Sequence, residues 1–382
     1  MSSAIERAIT IEDLRRLAKR RLPRVVFDYI DGAAEREITL RRNSEAFERI
    51  VFRPKSAVAS APCTIGATVV GTQFDLPFLL APVGSSRMFW PKGECVAARC
   101  AGDAGTGYIL STLSGCAMED VAASTHGPKW FQLYIIGGQS VAMRAIERAK
   151  AAGFSALVVT IDTPVAGLRE RDVRGGAKEL VGGNPFKIAP YAGQILSKPS
   201  WLAGFLADGG LMKFPNILLD DGPMGYEDAG AALGDSAVDL RDFEWIRRAW
   251  NGPLIAKGVH TAEDARRVVD AGADAVVVSN HGGRQLDGVA ATIEVLPEVV
   301  AAVGGEVDVL LDSGIRRGSD IVKALCLGAR AVLVGRAYAY GLGAAGAAGV
   351  RRAIEILRDD VARTLNLLGC HDVAELNDSF VR

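Results

Sequence analysis

Long apolar runs are missing from this 382-residue chain. None approaches the roughly 20 residues that a helix needs to span a bilayer. A surplus of one charge is missing too: 44 basic and 45 acidic residues leave a formal net charge of −1. Nucleic-acid binding normally brings a basic excess or stripe, so no nucleic-acid partner is expected. The six cysteines, at 63, 95, 100, 116, 326 and 370, include no CxxC pair. Free thiols in a reducing compartment are therefore expected, and no metal site. Residues Met1–Thr10 lack the charged-then-apolar layout of a secretory leader. Together these absences predict a cytoplasmic protein and leave peripheral contact with a membrane open. Histidine is scarcest of all, with four residues at 126, 260, 281 and 371.

What is present is an apolar content of 49%, enough for a sizeable core, and 43 glycines that gather at the ends of apolar runs. Glycine in those places marks tight turns. Near the N-terminus, Thr10 is placed to cap a helix with Glu12 and Asp13 in its first turn. Pro23 suits the first position of a second helix, which puts Val26, Tyr29 and Ile30 on one side and ends near Gly32.

From Phe78 onward a unit recurs: a short apolar run, a polar or glycine-rich turn, then an amphipathic stretch. The runs are Phe78–Ala81, Tyr108–Leu110, Trp130–Leu133, Ala156–Thr160, Pro253–Ala256, Ala275–Val278, Val309–Leu311 and Ala331–Val334. Continuous apolarity with β-branched residues is the mark of parallel strands buried on both faces. Eight such strands favour a closed barrel over the alternative, a doubly wound open sheet. The predicted fold is thus α/β, a (β/α)8 TIM barrel with an N-terminal helical extension and a long loop after the fourth strand. It is read as one domain, 1–382: lead-in helices 1–77, barrel 78–350 with a loop insert 174–241, and C-terminal helices 351–382. The insert, rich in Gly, Pro and Asp, is longer than a plain connection. It reads as a mobile loop with a membrane or partner contact as one option.

Polar residues at the C-terminal ends of barrel strands face the active site. In chain order those ends supply Pro82, Val83 and Gly84; Ser111; Gln132 and Tyr134; Thr160 and Asp162; Lys257; Ser279 and His281; Asp312, Ser313, Gly314 and Arg316; Gly335 and Arg336. The last two groups follow strands seven and eight, where barrels hold phosphate on backbone N–H groups and arginine. The bland alternative is two tight turns with surface arginines. Lys257 ends an apolar strand, and burial of an ammonium calls for a negative partner. That partner is either the anionic edge of a reduced flavin or a core carboxylate. His281 alone among the histidines follows a buried strand and precedes paired glycines. It reads as a general base with Asp162 beside it, or as a hydrogen-bonded core histidine. Arg169 and Arg284 are candidates to grip a carboxylate, although Arg169 sits in a charged stretch that equally reads as a solvated loop. Tyr29, on an apolar helix face, reads by itself as a core tyrosine.

Three segments, Phe131-Gln-Leu-Tyr134, Ser279-Asn-His-Gly-Gly-Arg-Gln-Leu-Asp287 and Asp312-Ser-Gly-Ile-Arg-Arg-Gly318, resemble the FMN-dependent L-2-hydroxy acid oxidase/dehydrogenase family, and the resemblance runs from about Leu22 to about Gly369. It implies oxidation of an L-2-hydroxy acid of the lactate or mandelate type. Under it His281 is the base, paired with Asp162, while Arg284, Arg169 and Tyr29 hold the substrate carboxylate and Tyr134 bonds the reacting oxygen. FMN is then held by Pro82–Gly84, Ser111, Gln132, Thr160, Lys257 and Ser279, its phosphate by Ser313, Gly314, Arg316, Gly335 and Arg336, and its ribityl chain by Asp312. Gly84 stands where oxidases of the family often have alanine, and Leu113 where glycolate oxidase-like members have tryptophan, which implies a wider substrate pocket. Ser313, Trp90–Gly93 and Tyr340–Leu342 resemble the mandelate dehydrogenase branch. The resemblance therefore implies a dehydrogenase passing electrons to a quinone or other carrier, and a homotetramer. The alternatives are an oxygen-using oxidase that makes hydrogen peroxide, another FMN barrel such as type 2 isopentenyl diphosphate isomerase, and a barrel that has lost activity. The isomerase has no need of two arginines beside a His–Asp pair.

Overall fold

In the computed structural model the described residues are 2–177, 179, 184–226, 228, 233 and 237–382. Twelve strands are present among them. A hairpin, β1 (Ala67–Val69) and β2 (Thr72–Phe74), precedes β3 (Phe78–Leu80), β4 (Tyr108–Ser111), β5 (Lys129–Leu133) and β6 (Ala156–Thr160). A second hairpin, β7 (Lys213–Leu219) and β8 (Gly222–Gly225), precedes β9 (Leu254–Val259), β10 (Ala275–Val278), β11 (Asp308–Leu311) and β12 (Ala331–Val334). The eight longer-range strands close a barrel in the order β3, β4, β5, β6, β9, β10, β11, β12, all neighbours parallel. The β12–β3 pairing closes it through Val332–Phe78, Leu333–Leu79 and Val334–Leu80.

The strands form because their side chains have nowhere wet to point. Every residue of β3, β4, β6, β10 and β12 is buried. Alternate residues fill the barrel interior with Leu79, Ile109, Trp130, Val158, Ile255, Val277, Leu310 and Leu333. Val69 and Phe74 join this inner cluster, so the first hairpin, which the sequence reading passed over, plugs the N-terminal end. The opposite set packs against the surrounding helices. Local signals start these helices where the periodicity begins. Thr10 accepts from Asp13 N at 3.2 Å and Asp13 bonds back to Thr10 N at 3.0 Å, a capping box. Pro23 is the cap of its helix, Arg24–Asp31, one position before where the sequence placed it. The last helix, Arg336–Leu368, carries a break at Ala345–Gly346 and runs through residue 350, the expected end of the barrel region.

The long connection after β6 carries secondary structure of its own. Its described parts include the helices Glu170–Arg174, Pro185–Ile188, Ala192–Leu196 and Pro199–Ala207 and the hairpin β7–β8. It ends at Asp239, which caps the helix Leu240–Ala249. Side-chain hydrogen bonds hold it to the barrel, two of them at the turn after β3. Arg87, in the turn after β3, donates to Asp208 Oδ2 at 2.7 Å, and Trp201 Nε1 donates to Met88 O at 2.8 Å.

Candidate active site

The strand ends open on a cavity with about 1160 Å³ of empty space, counting its mouth. Of the sequence-predicted residues, Tyr29, Pro82, Val83, Gly84, Ser111, Leu113, Gln132, Tyr134, Thr160, Arg169, Lys257, His281, Arg284, Asp312, Ser313, Gly314, Arg316, Gly335 and Arg336 line it. The other two sit directly behind it. Asp162 accepts from His281, and Ser279 accepts from Lys257 Nζ at 3.0 Å and from His281 N at 3.1 Å.

His281 is held from both sides. Its Nδ1 lies 3.0 Å from Asp162 Oδ1, and its Nε2 lies 3.5 Å from the Tyr134 hydroxyl. A carboxylate only accepts, so Nδ1 carries the proton and the Nε2 lone pair faces the cavity. Burial pushes the imidazole below its ordinary value of 6.5, against the pull of Asp162. Burial would raise the Asp162 carboxyl, but the imidazole and Lys257 outweigh it and hold Asp162 below its usual range. Burial pushes the Tyr134 phenol well up, so it stays protonated and can donate. His281 and Ser313 both adopt left-handed backbone, φ 57° and 75°, and Ser313 Oγ accepts from Gly282 N at 2.9 Å. Strain of this kind persists where the surroundings over-determine it.

Lys257 meets the second of its two expected partners. Its ammonium lies 3.0 Å from Asp312 Oδ2, and that charge together with Asp162 overrides the desolvation that would otherwise favour neutral lysine. Arg284 donates to the carbonyls of Tyr29 at 2.7 Å and Gly32 at 2.9 Å and sits 5.0 Å from the centre of the Tyr29 ring. Burial first, then the neighbouring Arg169, lower its hold on its proton. Arg169 has a buried Nε with no hydrogen-bond partner. Two guanidiniums that repel each other across a half-dry cavity form a site that favours an anion.

Buried polar atoms without partners point to what else the cavity accepts. Eight such side-chain atoms occur among the described residues, and four belong here: Gln132 Nε2, Thr160 Oγ1, Asp162 Oδ2 and Arg169 Nε. Stranding them costs roughly 1–3 kcal/mol each, so a polar ring system with its own N–H and C=O groups suits this wall. At the far end Gly335 caps the helix Arg336–Leu368, whose first-turn N–H groups suit a phosphate. Arg336 has a second task. Three of its five N–H donors go to the carbonyls of Ile30, Gly282 and Gly32, at 3.0, 2.9 and 2.7 Å.

Residues the sequence reading gave no role hold this arrangement. Gln285 donates to the carbonyls of Asp162 and Val165 at 3.0 and 2.8 Å and accepts from Gly167 N at 3.2 Å, clamping the loop that bears Asp162 and Arg169. A Cβ on Gly167 would stand 2.3 Å from Arg284 O, so only glycine permits the approach. Asp287 caps the helix Ile38–Arg49 by accepting from Ile38 N and Thr39 N at 3.1 and 2.7 Å. Gln285 and Asp287 lie inside the segment Ser279–Asp287, so the segment was the signal. Leu233 also lines the cavity, and Tyr226 stacks on Phe214 at 5.4 Å beside it; both lie in the insert, where no pattern marked them.

Against known proteins, a profile described as FMN-dependent dehydrogenase matches residues 18–382. The chain belongs to this family of FMN-dependent dehydrogenases. The L-lactate dehydrogenase of Caulobacter vibrioides is 41% identical over 97% of this chain and 96% of its own. The peroxisomal (S)-2-hydroxy-acid oxidase of Oryza sativa subsp. japonica is 39% identical over 98% and 95%. The crystal structure of (S)-mandelate dehydrogenase, described as a monotopic membrane protein, superposes with a TM-score of 0.91 at 37% identity, covering 98% of this chain and 99% of that one. As an FMN-dependent dehydrogenase the chain is an oxidoreductase whose cofactor is FMN, and the partnerless Gln132 and Thr160 wall with the helix N-terminus at Gly335 fits that group.

Proposed function

We propose that the enzyme oxidises an L-2-hydroxy acid of the lactate or mandelate type to the 2-keto acid and passes the electrons to a quinone or other carrier. The carrying observation is the His281–Asp162 pair, 3.0 Å apart, with Nε2 turned to a cavity that also holds Arg169 and Arg284. The names of the similar proteins support the same reaction, and the rice relative supports an oxygen-using variant of it.

In this reading Arg284 and Arg169 grip the substrate carboxylate, with the Tyr29 hydroxyl beside them. Tyr134 donates to the hydroxyl oxygen. Nε2 of His281 takes the proton that leaves the substrate, from its hydroxyl or its Cα, and Asp162 stabilises the imidazolium that results. Bound FMN would supply the acceptor for the two electrons and the second hydrogen. Pro82–Gly84, Ser111, Gln132, Thr160, Lys257 and Ser279 would hold its ring, Asp312 its ribityl chain, and Ser313, Gly314, Arg316, Gly335 and Arg336 its phosphate. Leu113 and Gly84 would border the substrate side chain.

The base works only when neutral, and burial lowers its pKa from 6.5. The kcat/KM for an L-acid with a dye acceptor should therefore rise with pH on the acid side and level off by about neutrality. D-acids should give no turnover. Activity that keeps rising through the alkaline range, or equal use of D-acids, would contradict this assignment.

We also propose that the insert rests on an anionic membrane face, that the protein otherwise lies in the cytoplasm, and that it assembles as a homotetramer. Among the described residues no helix is long and apolar enough to cross a membrane. Among the described residues, four of the twelve exposed large apolar side chains fall in the insert, Phe186, Leu196, Leu206 and Leu211, with Phe186 the barest at 89%. Between residues 184 and 213 the charges are Lys187, Lys198, Lys213 and one acid, Asp208, which is paired with Arg87. Apolar groups with unopposed cations suit an anionic lipid surface. The protein should sediment with vesicles containing phosphatidylglycerol, not with pure phosphatidylcholine, and salt should release it. Sedimentation with neither would count against the contact.

A further inference from the structure

One helix end bonds two of the five cationic side chains that line the cavity, Arg284 and Arg336, and two more arginines outside it, Arg15 and Arg171. The helix Arg24–Asp31 offers its terminal carbonyls inward: Tyr29 O and Gly32 O to Arg284, and Ile30 O and Gly32 O to Arg336. Outward it offers Asp31, buried at 5% exposure and absent from the cavity wall. Asp31 accepts from Arg15 Nη2 at 2.9 Å, from Tyr340 OH at 2.8 Å and from Arg171 Nη1 at 2.9 Å. Arg171 also bonds Glu37.

Arg171 stands two residues beyond Arg169 on the short helix that Arg169 opens. The guanidinium of Arg169 has no hydrogen bond at Nε to fix it, so its aim depends on where the backbone is held. That backbone is held at two places. Gln285 clamps its N-terminal side, as described above. On that side too, Glu35 N, in the segment after the helix Arg24–Asp31, donates to Leu168 O at 2.8 Å; on the C-terminal side Arg171 reaches Asp31 and Glu37. The same segment donates from Ala34 N to Gly283 O at 2.9 Å, in the loop that carries Arg284.

We propose that Arg171 and Asp31 are positioning residues, a latch that holds Arg169 and Arg284 at one spacing and so sets the affinity for substrate from outside the cavity. The proposal rests on the carboxylate grip described under the proposed function. Binding should depend on the latch while the chemistry at His281 should not, because neither residue touches His281 or Asp162.

The test is anaerobic flavin reduction of the FMN-loaded enzyme by L-mandelate or L-lactate, whichever is faster, read as substrate Kd and limiting rate. Arg171→Met should raise Kd roughly tenfold, the range typical of coupled neighbours, with the limiting rate within about twofold and the bound-FMN spectrum unchanged. Arg171→Lys should recover part of the loss. Because Arg171 acts through Arg169, adding Arg171→Met to Arg169→Met should cost little more than Arg169→Met alone. Arg15→Met, which touches Asp31 but not the loop, should leave Kd within about twofold. Additive effects of Arg169 and Arg171, an unchanged Kd in Arg171→Met, or a fall in limiting rate without a change in Kd would overturn the latch. An unchanged Kd in Arg169→Met would instead remove the carboxylate grip, and the latch with it.

Discussion

Replacing His281 with asparagine leaves a yellow, FMN-bound protein whose flavin is reduced by substrate about 10²–10⁴-fold more slowly, the usual worth of a positioned general base. Asparagine is the better probe than alanine here. His281 sits at φ 57°, where asparagine is tolerated and alanine adds strain. The substitution removes the Nε2 lone pair that faces the cavity beside the Tyr134 hydroxyl, 3.5 Å away. It leaves Asp162 as a buried carboxylate with Lys257 still near by, so the cavity keeps its cofactor wall. Stopped-flow reduction under nitrogen measures the loss. A limiting rate within a few-fold of the parent enzyme would remove His281 from the chemistry.

Replacing Arg284 with methionine should weaken substrate binding by about 2–5 kcal/mol, the cost of truncating one partner of a buried charge pair. That is roughly a 30- to 4000-fold rise in Kd. Some of the effect falls on the protein itself, since the carbonyl of Tyr29 loses the Arg284 donor and that of Gly32 keeps only Arg336. Arg284→Lys separates the two contributions. It keeps a cation for the carboxylate but offers a point charge in place of a planar fork, so Kd should rise less than for methionine. Equilibrium titration against a non-reducing carboxylate analogue reads the affinity without turnover, and an unchanged Kd in both variants would contradict the grip.

The barrel was legible because buried parallel strands leave an unambiguous mark: runs such as Ala275–Val278 have no polar face to show. Strand-end chemistry was legible for the same reason, since a polar residue that ends such a run, such as Thr160 or Asp312, has only the cavity mouth to face. The partners of these residues were less visible. Lys257 announced that it needed a negative charge, but the choice of Asp312 depends on β9 and β11 flanking β10, which only the closed sheet decides. The latch was invisible because Arg171 lies 140 residues from Asp31 and 134 from Glu37 and none of the three carries a local pattern. Asp287 shows the opposite case: it belongs to the most informative segment, yet its task is to cap a helix some 250 residues earlier. The insert after β6 hid its helices and hairpin because glycine and proline interrupt their periodicity, while its own Asp208 and Trp201 find their partners, Arg87 and Met88, outside it.

The measurement that tests the central claim most directly is an anaerobic titration of the yellow protein with L-lactate, L-mandelate and longer L-2-hydroxy acids, followed by air. Bleaching of the flavin by at least one L-acid, and by none of the D-acids, is the predicted result. Slow return of colour in air then marks a dehydrogenase, and fast return an oxidase. A flavin that no L-2-hydroxy acid bleaches would contradict the account.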